Sequence, residues 1–489
     1  MPQYDFDLGV LGGGSAGLTI TAGAAQLGVR TLLAEKEDKL GGDCLHYGCV
    51  PSKALVKAAH VYHTARNTAR FGLPELDMKP VDYRHVAERI KSVIDVIQVH
   101  DSEERFCELG AKVVFGAARF LDAHTIQVNG VTYSAKTWVI ATGTSPMIPG
   151  FEGLDSTPHL TNREIFSLET LPHSMIILGA GPIACEMAQA FARLGAKVSV
   201  VQRSQQILSK EDKDMADTLM DVMRREGVDF YLDTSIVRVQ DLGEMRQVVF
   251  TMGDDNKQQI SLQADALLVA LGRTPNLDDL GLNDIGVVYD KKGLTLDARL
   301  RTTRKHIYGA GDVTGNYQFT HAAGYEGGIV IRNAVFRLPT KVNYTNMPWC
   351  TYTDPELASI GLNEKRANAE GIDYTVWTEH FHRNDRSVAE GEEVGSIKML
   401  LDSQERPLGI QILGPQAGEL VGEWVAVMNG NVKLSTVVSA VHPYPTLAEI
   451  NKRVVGNLFA GKLYSEKVKK GLKFFFNLRG RACGCNESS

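Results

Sequence analysis

Near the start of the chain an apolar run broken only by Asp7, FDLGVL, ends at a cluster of glycines. A helical spacing follows through SAGLTITAGAAQLG, and a second continuous run closes on Glu35. This predicts strand, tight turn, helix and strand over residues 5 to 35. The same order returns in MIILGAGPIACEMAQAFARLGAKVSVVQR. Two further apolar runs, WVIATGTSPMIPG (138 to 150) and LLVALGRTPN (267 to 276), each end in a glycine and a proline turn. Such self-similarity predicts a duplicated α/β unit. DYRHVAERIKSVIDVIQVHDSEERFCELG reads as a long helical segment between the first unit and WVIATG. After residue 345, alternating strands such as GSIKMLLD and PLGIQILG beside longer helical patterns predict a separate α+β domain.

The glycines at the first break stand in G-x-G-x-x-G order at Gly12, Gly14 and Gly17. They allow the backbone to approach a pyrophosphate at a helix N-terminus, and Glu35 at the end of the second strand can hold a ribose hydroxyl. In the repeat, Gly179, Gly181 and Ala184 take those places, but its second strand ends in Gln202 and Arg203 with no acid. Arginine suits the 2′-phosphate of NADP, so NADPH is expected over NADH. A later strand end, HIYGAGDVTG, places Asp312 past a glycine turn, where it can reach a polar cofactor chain.

Between the two units lies GGDCLHYGCVPSK, with Cys44 and Cys49 five apart. Five residues of regular helix rise roughly 7.5 Å, whereas a disulfide needs Cα atoms within about 7 Å. The pair can therefore bridge only across a distorted helix, with Gly48 supplying the permissive backbone and Pro51 suiting a first helical turn.

Length sets a prior of about three domains. A net charge of −6, from 52 basic and 58 acidic side chains, argues against a general nucleic-acid binder. Seven cysteines in 489 residues are too few for a disulfide scaffold. No run reaches the apolar length of a membrane span, and the first strand begins too early for a leader, so the expected location is cytoplasmic.

GGGSAG, GGDCLHYGCVPSK, ATG, GAGPIACE, GRTPN, YGAGDV and HPYPTLAE, in this order, resemble the FAD-dependent pyridine nucleotide–disulfide oxidoreductases. The resemblance implies two Rossmann-like nucleotide-binding domains and a C-terminal dimerisation domain. Its expected boundaries are 1–155 with 274–344 for FAD, 156–273 for NAD(P), 345–465 for the dimer interface and 466–489 for a basic tail. It implies FAD on Gly12, Gly14, Gly17, Glu35 and Asp312, and NADPH on Gly179, Gly181 and Arg203. Ser15, Gly42, Thr142, Gly143, Gly272, Arg273 and Gly311 join these as cofactor-binding positions. Lys53 and Glu186 match an ion pair near the flavin. Electrons from NADPH would pass through FAD to Cys49, leaving Cys44 to attack substrate in a homodimer whose C-terminal domain completes the partner's site.

The departures bear on the substrate. Disulfide reductases of this family carry a histidine proton shuttle in H-P-T-x-x-E; aligning HPYPTLAE puts Tyr444 at the histidine position and keeps Glu449. Tyrosine, with a pKa of about 10, is a poor shuttle at neutral pH. His442 is the alternative base. Tyrosine there resembles mercuric reductase, where soft sulfur ligands matter more than a proton relay, and Cys483 and Cys485 in the tail could pass on a metal ion. The same resemblance puts Phe106 where that site would have a second tyrosine. Asp43 replaces the usual threonine, and facing the sulfur it would raise the Cys44 pKa. Reduction of a small or protein disulfide, with Cys483 and Cys485 as relay, is the alternative activity, dihydrolipoamide dehydrogenase a weaker one, and a metal-holding module the non-enzymatic one. Cys107, Cys185 and Cys350 read as core packing, and HFHRNDRSVAEGE (380 to 392) as a solvated loop, with contact to a substrate or the partner subunit as the alternative. Six basic residues and no acids between Lys467 and Asn486, with Val468, Leu472, Phe475 and Phe476 on one helical face, allow a weak membrane-surface contact.

Overall fold

The computed structural model describes residues 3–253 and 258–478. The chain divides into two compact units, Met1–Ser209 with Ala216–Tyr344, and Lys210–Met215 with Thr345–Ser489.

In the first unit, strands Ala111–Phe115, Thr31–Glu35, Phe6–Leu11, Val131–Ile140 and Ile307–Gly309 form a parallel sheet, extended by the antiparallel Thr125–Val128 and Ala118–Phe120. The apolar runs are continuous because both faces of this sheet are covered. Leu8, Val10, Leu33 and Val139 pack with Ile20, Ile329 and Val330 on one side. Leu11, Leu32, Trp138 and Ile140 pack with Phe120 and Ile126 on the other. A second parallel sheet, Val228–Tyr231, Lys197–Val201, Ser174–Leu178 and Ala266–Val269, repeats the plan. The echo reaches atomic detail. Gly12 and Gly179 have φ of +105° and +103°, and a Cβ on either would lie 2.3 Å from the Ala141 carbonyl oxygen or 2.4 Å from that of Ala270. Each opening glycine is thus wedged against the residue that follows a neighbouring parallel strand, Val131–Ile140 or Ala266–Val269. Arg273–Pro275 then pairs antiparallel with Thr144–Pro146.

The second unit is a five-stranded antiparallel sheet, Pro348–Thr351, Glu356–Gly361, Pro407–Gly414, Ser396–Leu401 and Thr375–His380. Its core joins Ile397, Ile410 and Ile412 to Trp424 and Val454 from helices Ala417–Asn429 and Glu449–Leu463. Residues 210–215 are stitched into it. Glu211 accepts from Trp349 Nε1 (2.6 Å), Ser359 Oγ (2.9 Å) and Gln411 Nε2 (2.6 Å). Lys398, which strict alternation between Ile397 and Met399 would turn outward, is buried instead against Asp212 (3.0 Å), Asp214 (3.1 Å) and Glu364. Helix Glu466–Phe476, the last described element, buries none of its side chains. Among the described residues, no helix is long and apolar enough to cross a membrane.

Candidate active site

Cys44 and Cys49 sit on either side of a broken helix. Gly42–His46 stops at Tyr47, and Cys49–Arg66 starts after Gly48. A Cβ on Gly48 would lie 2.9 Å from the Asp43 carbonyl oxygen, so the close turn that brings the two sulfurs into hydrogen-bonding contact leaves no room for a side chain. Both cysteines are free thiols. Cys49 opens an 18-residue helix, whose unpaired amide groups favour negative charge. Its thiol is lowered from 9.0 to about 6, first by the hydrogen bond from Cys44, against the opposing effect of burial. The Thr320 hydroxyl, with Oγ1 3.2 Å from Sγ, and the Lys53 ammonium lower it further. Cys44 moves up, because it shares its proton with Cys49 and is partly buried. The arrangement makes Cys49 a thiolate at neutral pH and leaves the proton on Cys44.

Around this pair lies a cradle that fits a dinucleotide. Ser15 opens helix Ser15–Gln26 directly after Gly14. Gly42 (φ +59°) lies so close to the fingerprint that a Cβ on it would stand 2.7 Å from Gly14 Cα, and one on Gly17 would stand 1.8 Å from the Gly12 oxygen. Buried Glu35 accepts from the amides of Gly13 (2.5 Å) and Glu37 (2.8 Å), fixing the turn. Thr142 Oγ1 donates to the Asn276 carbonyl (2.7 Å), whose amide donates to Gly143 (3.0 Å). Asp312, just after Gly311, accepts from Thr144 Oγ1 at 2.7 Å, and burial holds its carboxyl above the usual range. These glycines and the turned-in carboxylates are what a pyrophosphate and a polyhydroxyl chain need.

Lys53 reaches buried Glu186 at 2.8 and 3.0 Å, although 133 residues separate them. Gly179 and Gly181 precede helix Pro182–Leu194, which carries Glu186, and Gly272 accepts from the Met147 amide at 2.9 Å. Arg203 is exposed just beyond strand Lys197–Val201, with no hydrogen bond or ion pair among the described residues.

Several expectations need correction. Asp43 does not set the Cys44 thiol. Its carboxylate is held by Arg273 (3.0 Å) and Asn162 (3.0 Å), and Cys44 is raised by its hydrogen bond to Cys49 and by burial. Cys107 is exposed, because helix Glu103–Glu108 turns only Phe106 inward. Phe106 itself belongs to the core of the first sheet, so it lines no metal site. Cys185 is buried as expected, and Cys350 is half-buried against the second unit's core. Residues 380–392 are not a solvated loop. Asn384 caps helix Asp385–Glu390, and Phe381 and Ser387 are buried.

In the second unit Tyr444 is 69% exposed, and its hydroxyl donates to Asp385 at 2.9 Å, which pushes the phenol above its ordinary value. Glu449 makes no hydrogen bond through Oε2 among the described residues. His442 bonds Glu423 at 3.0 Å through Nε2, while its Nδ1 is buried. Cys483 and Cys485 lie outside the described residues, among which no group of three or more metal-binding side chains occurs. Thr320, Asp43 as a partner of Arg273, and fully buried Glu326 were not anticipated. Glu326 accepts from the Gly311 amide (2.6 Å) and the Tyr344 hydroxyl (2.5 Å), tying the Asp312 turn to helix Thr320–Ala334. The signal in the sequence was a lone acid among the glycines and aliphatic residues of GYEGGIVI.

Residues 6–327 match the pyridine nucleotide-disulphide oxidoreductase model, and residues 347–455 match the dimerisation domain of the same enzymes. The chain is 32% identical to the mitochondrial dihydrolipoyl dehydrogenase of Schizosaccharomyces pombe over 471 residues, covering 94% of this chain and 91% of that one. It is 30% identical to a mercuric reductase of Lysinibacillus sphaericus over 449 residues, covering 91% and 81%. A solved structure, the Cu(II) complex of the HOCl-induced flavoprotein disulfide reductase RclA from Escherichia coli, matches with a TM-score of 0.83 at 26% identity, covering 94% of this chain and all of that chain.

Proposed function

Since the chain belongs to the pyridine nucleotide-disulphide oxidoreductases, FAD-dependent enzymes that use a pyridine nucleotide, we propose that it carries electrons from NADPH through Cys44 and Cys49 to a thiol-bound soft metal ion such as Hg(II). The observation that carries this reading is the thiol pair itself, with Cys49 lowered to about 6 beside a cradle fitted to a dinucleotide. Bound FAD would supply the two-electron link between nicotinamide and sulfur. Lys53 favours the Cys49 thiolate, and Cys44 keeps a proton until it meets the electrophile. Tyr444, protonated and turned to Asp385, is a hydrogen-bond donor and not a base. That suits a metal thiolate, which needs sulfur ligands and no departing thiol proton shuttle.

A second reading, reduction of a disulfide, draws on the Escherichia coli neighbour, whose name describes a disulfide reductase. The two separate in anaerobic NADPH consumption by purified protein, with Hg(II) under excess thiol set beside a panel of disulfides. Turnover with mercury alone supports the first reading; turnover on a disulfide, with mercury only inhibiting, replaces it with the second.

The match to a dimerisation domain supports a homodimer, and we place Tyr444 and Glu449 beside the partner's thiols. Exposed Arg203 is assigned to the 2′-phosphate. R203A should narrow the preference for NADPH over NADH at least tenfold, and an unchanged ratio sinks the assignment. The setting we assign is the cytoplasm, where thiols stay reduced. Phe474, Phe475 and Phe476 are all exposed in a helix bearing Lys467, Lys469, Lys470 and Lys473, which suits transient contact with an anionic bilayer. Co-sedimentation with phosphatidylserine vesicles at low salt tests that contact.

A further inference from the structure

Asp43 stands directly before Cys44 of the thiol pair, and the structure gives its carboxylate a partner. Gly42 abuts the phosphate-binding fingerprint at Gly14, and the next residue carries a carboxylate. Unpaired, a negative charge there would oppose a pyrophosphate held by the backbone amides of the fingerprint. Arg273 meets it. One of its terminal nitrogens stands 3.0 Å from Asp43 Oδ2 and 2.9 Å from the Thr144 carbonyl oxygen. Its Nε donates to Thr144 Oγ1 at 2.6 Å, and Thr144 Oγ1 donates to Asp312 Oδ2 at 2.7 Å, with Nε itself 3.9 Å from that oxygen. One guanidinium therefore serves two carboxylates, Asp43 on the redox segment and Asp312 on the cofactor turn. Its side chain is only 13% exposed, so little water can stand in for it. The second Asp43 oxygen accepts from Asn162 Nδ2, which also donates to the Tyr47 carbonyl at 2.9 Å. Asp43 is thereby fixed in place and cannot rotate away from the cradle.

We propose that Asp43 and Arg273 act as one unit in cofactor retention: Arg273 is required because Asp43 is there, its guanidinium cancelling a carboxylate placed beside the phosphate cradle. Arg273 is in this sense a positioning residue that acts through Asp43, and it does not act by touching the cofactor. The inference rests on the FAD reading above. Removing the arginine alone strands two carboxylates around a polyanionic ligand. Removing the Asp43 charge alone costs little, because Arg273 then serves Asp312 by itself and asparagine still accepts from Asn162.

The test is a charge-rescue cycle on purified holoenzyme, reading FAD release from the rise in flavin fluorescence on dilution. R273M should release FAD at least thirtyfold faster than wild type, and D43N within threefold of it. D43N/R273M should be at least tenfold slower than R273M, a coupling of about 1.4 kcal/mol. A double variant as leaky as R273M overturns the proposal, since Arg273 would then serve the cofactor or the fold directly. D43N as leaky as R273M overturns it too. If R273M does not accumulate folded, R273K replaces it, because a single ammonium cannot reach Asp43 and Thr144 together, and D43N must then slow release from R273K. Wild-type protein that neither carries nor takes up FAD sinks the FAD reading and the pair's role with it. Wild-type protein that holds flavin, without rescue in the double variant, sinks the pair alone.

Discussion

Replacing Glu326 with glutamine should make the protein more stable above neutral pH and leave it nearly unchanged in acid. Glu326 is fully buried; burial is the main reason its carboxyl is raised from 4.5 to about 7, with Asp312 adding repulsion. Bonds from Tyr344, the Gly311 amide and Thr314 offset only part of this. The native state thus holds the proton more tightly than the unfolded chain. The stability contributed by that proton is complete below pH 4.5 and is lost as pH rises through 7. At 1.36 kcal/mol per pH unit, the interval amounts to about 3 kcal/mol. Glutamine keeps the geometry: its oxygen can accept from the Gly311 amide while its NH2 donates to the Tyr344 oxygen. The assay is the apparent Tm of wild type and E326Q from pH 4.5 to 8. The difference should start near zero and grow in favour of E326Q, approaching a plateau by pH 8. A flat difference, or a variant less stable at pH 8, would refute the reasoning, because the carboxylate would then be stabilised in place.

Two further outcomes follow from the site and its surroundings. K53M should raise and E186Q should lower the pH at which Cys49 becomes reactive, each by about one pH unit, because Lys53 lowers this thiol and Glu186 raises it. Alkylation rates of pre-reduced protein, resolved by mass spectrometry, check this, and shifts of the same sign would contradict it. F106A should cost about 3–5 kcal/mol, whereas C107S should stay within about 0.5 kcal/mol. Native protein should alkylate at Cys107 and spare Cys185, so equal protection of the two would return Cys107 to the core.

What the sequence made legible was chiefly what local sterics dictate. Gly12 and Gly179 each sit where a Cβ would strike a neighbouring carbonyl, so the fingerprints mark real close approaches of backbone. The interruption between Cys44 and Cys49 followed from helix rise alone. Contacts across long sequence separations were not readable. Thr320 reaches Cys49 over 271 residues, and Arg273 reaches Asp43 over more than two hundred; nothing local to either announces the other. Pairing depends on which strands become neighbours, here the antiparallel ladder of Thr144–Pro146 with Arg273–Pro275. Cys107 misled because a short helix can bury a single residue, and the alternation read into GSIKMLLD breaks at Lys398, a buried cation held by three acids.

The six residues 210–215 have a bearing on how the protein can be cut and how it is made. They belong with residues 345 onward, yet more than a hundred residues separate the two stretches. A fragment starting at Thr345 would lack the Glu211 acceptor of Trp349, Ser359 and Gln411, and would leave buried Lys398 with Glu364 as its one remaining acid from this cluster. Dissection at the apparent domain border therefore yields an unsound piece, and a swap between relatives must carry residues 210–215 along. On the ribosome the same segment emerges long before its sheet exists, so it must wait for the C-terminal strands before its acids are neutralised. The last part of the chain to be synthesised thus completes the environment of residues made near its middle.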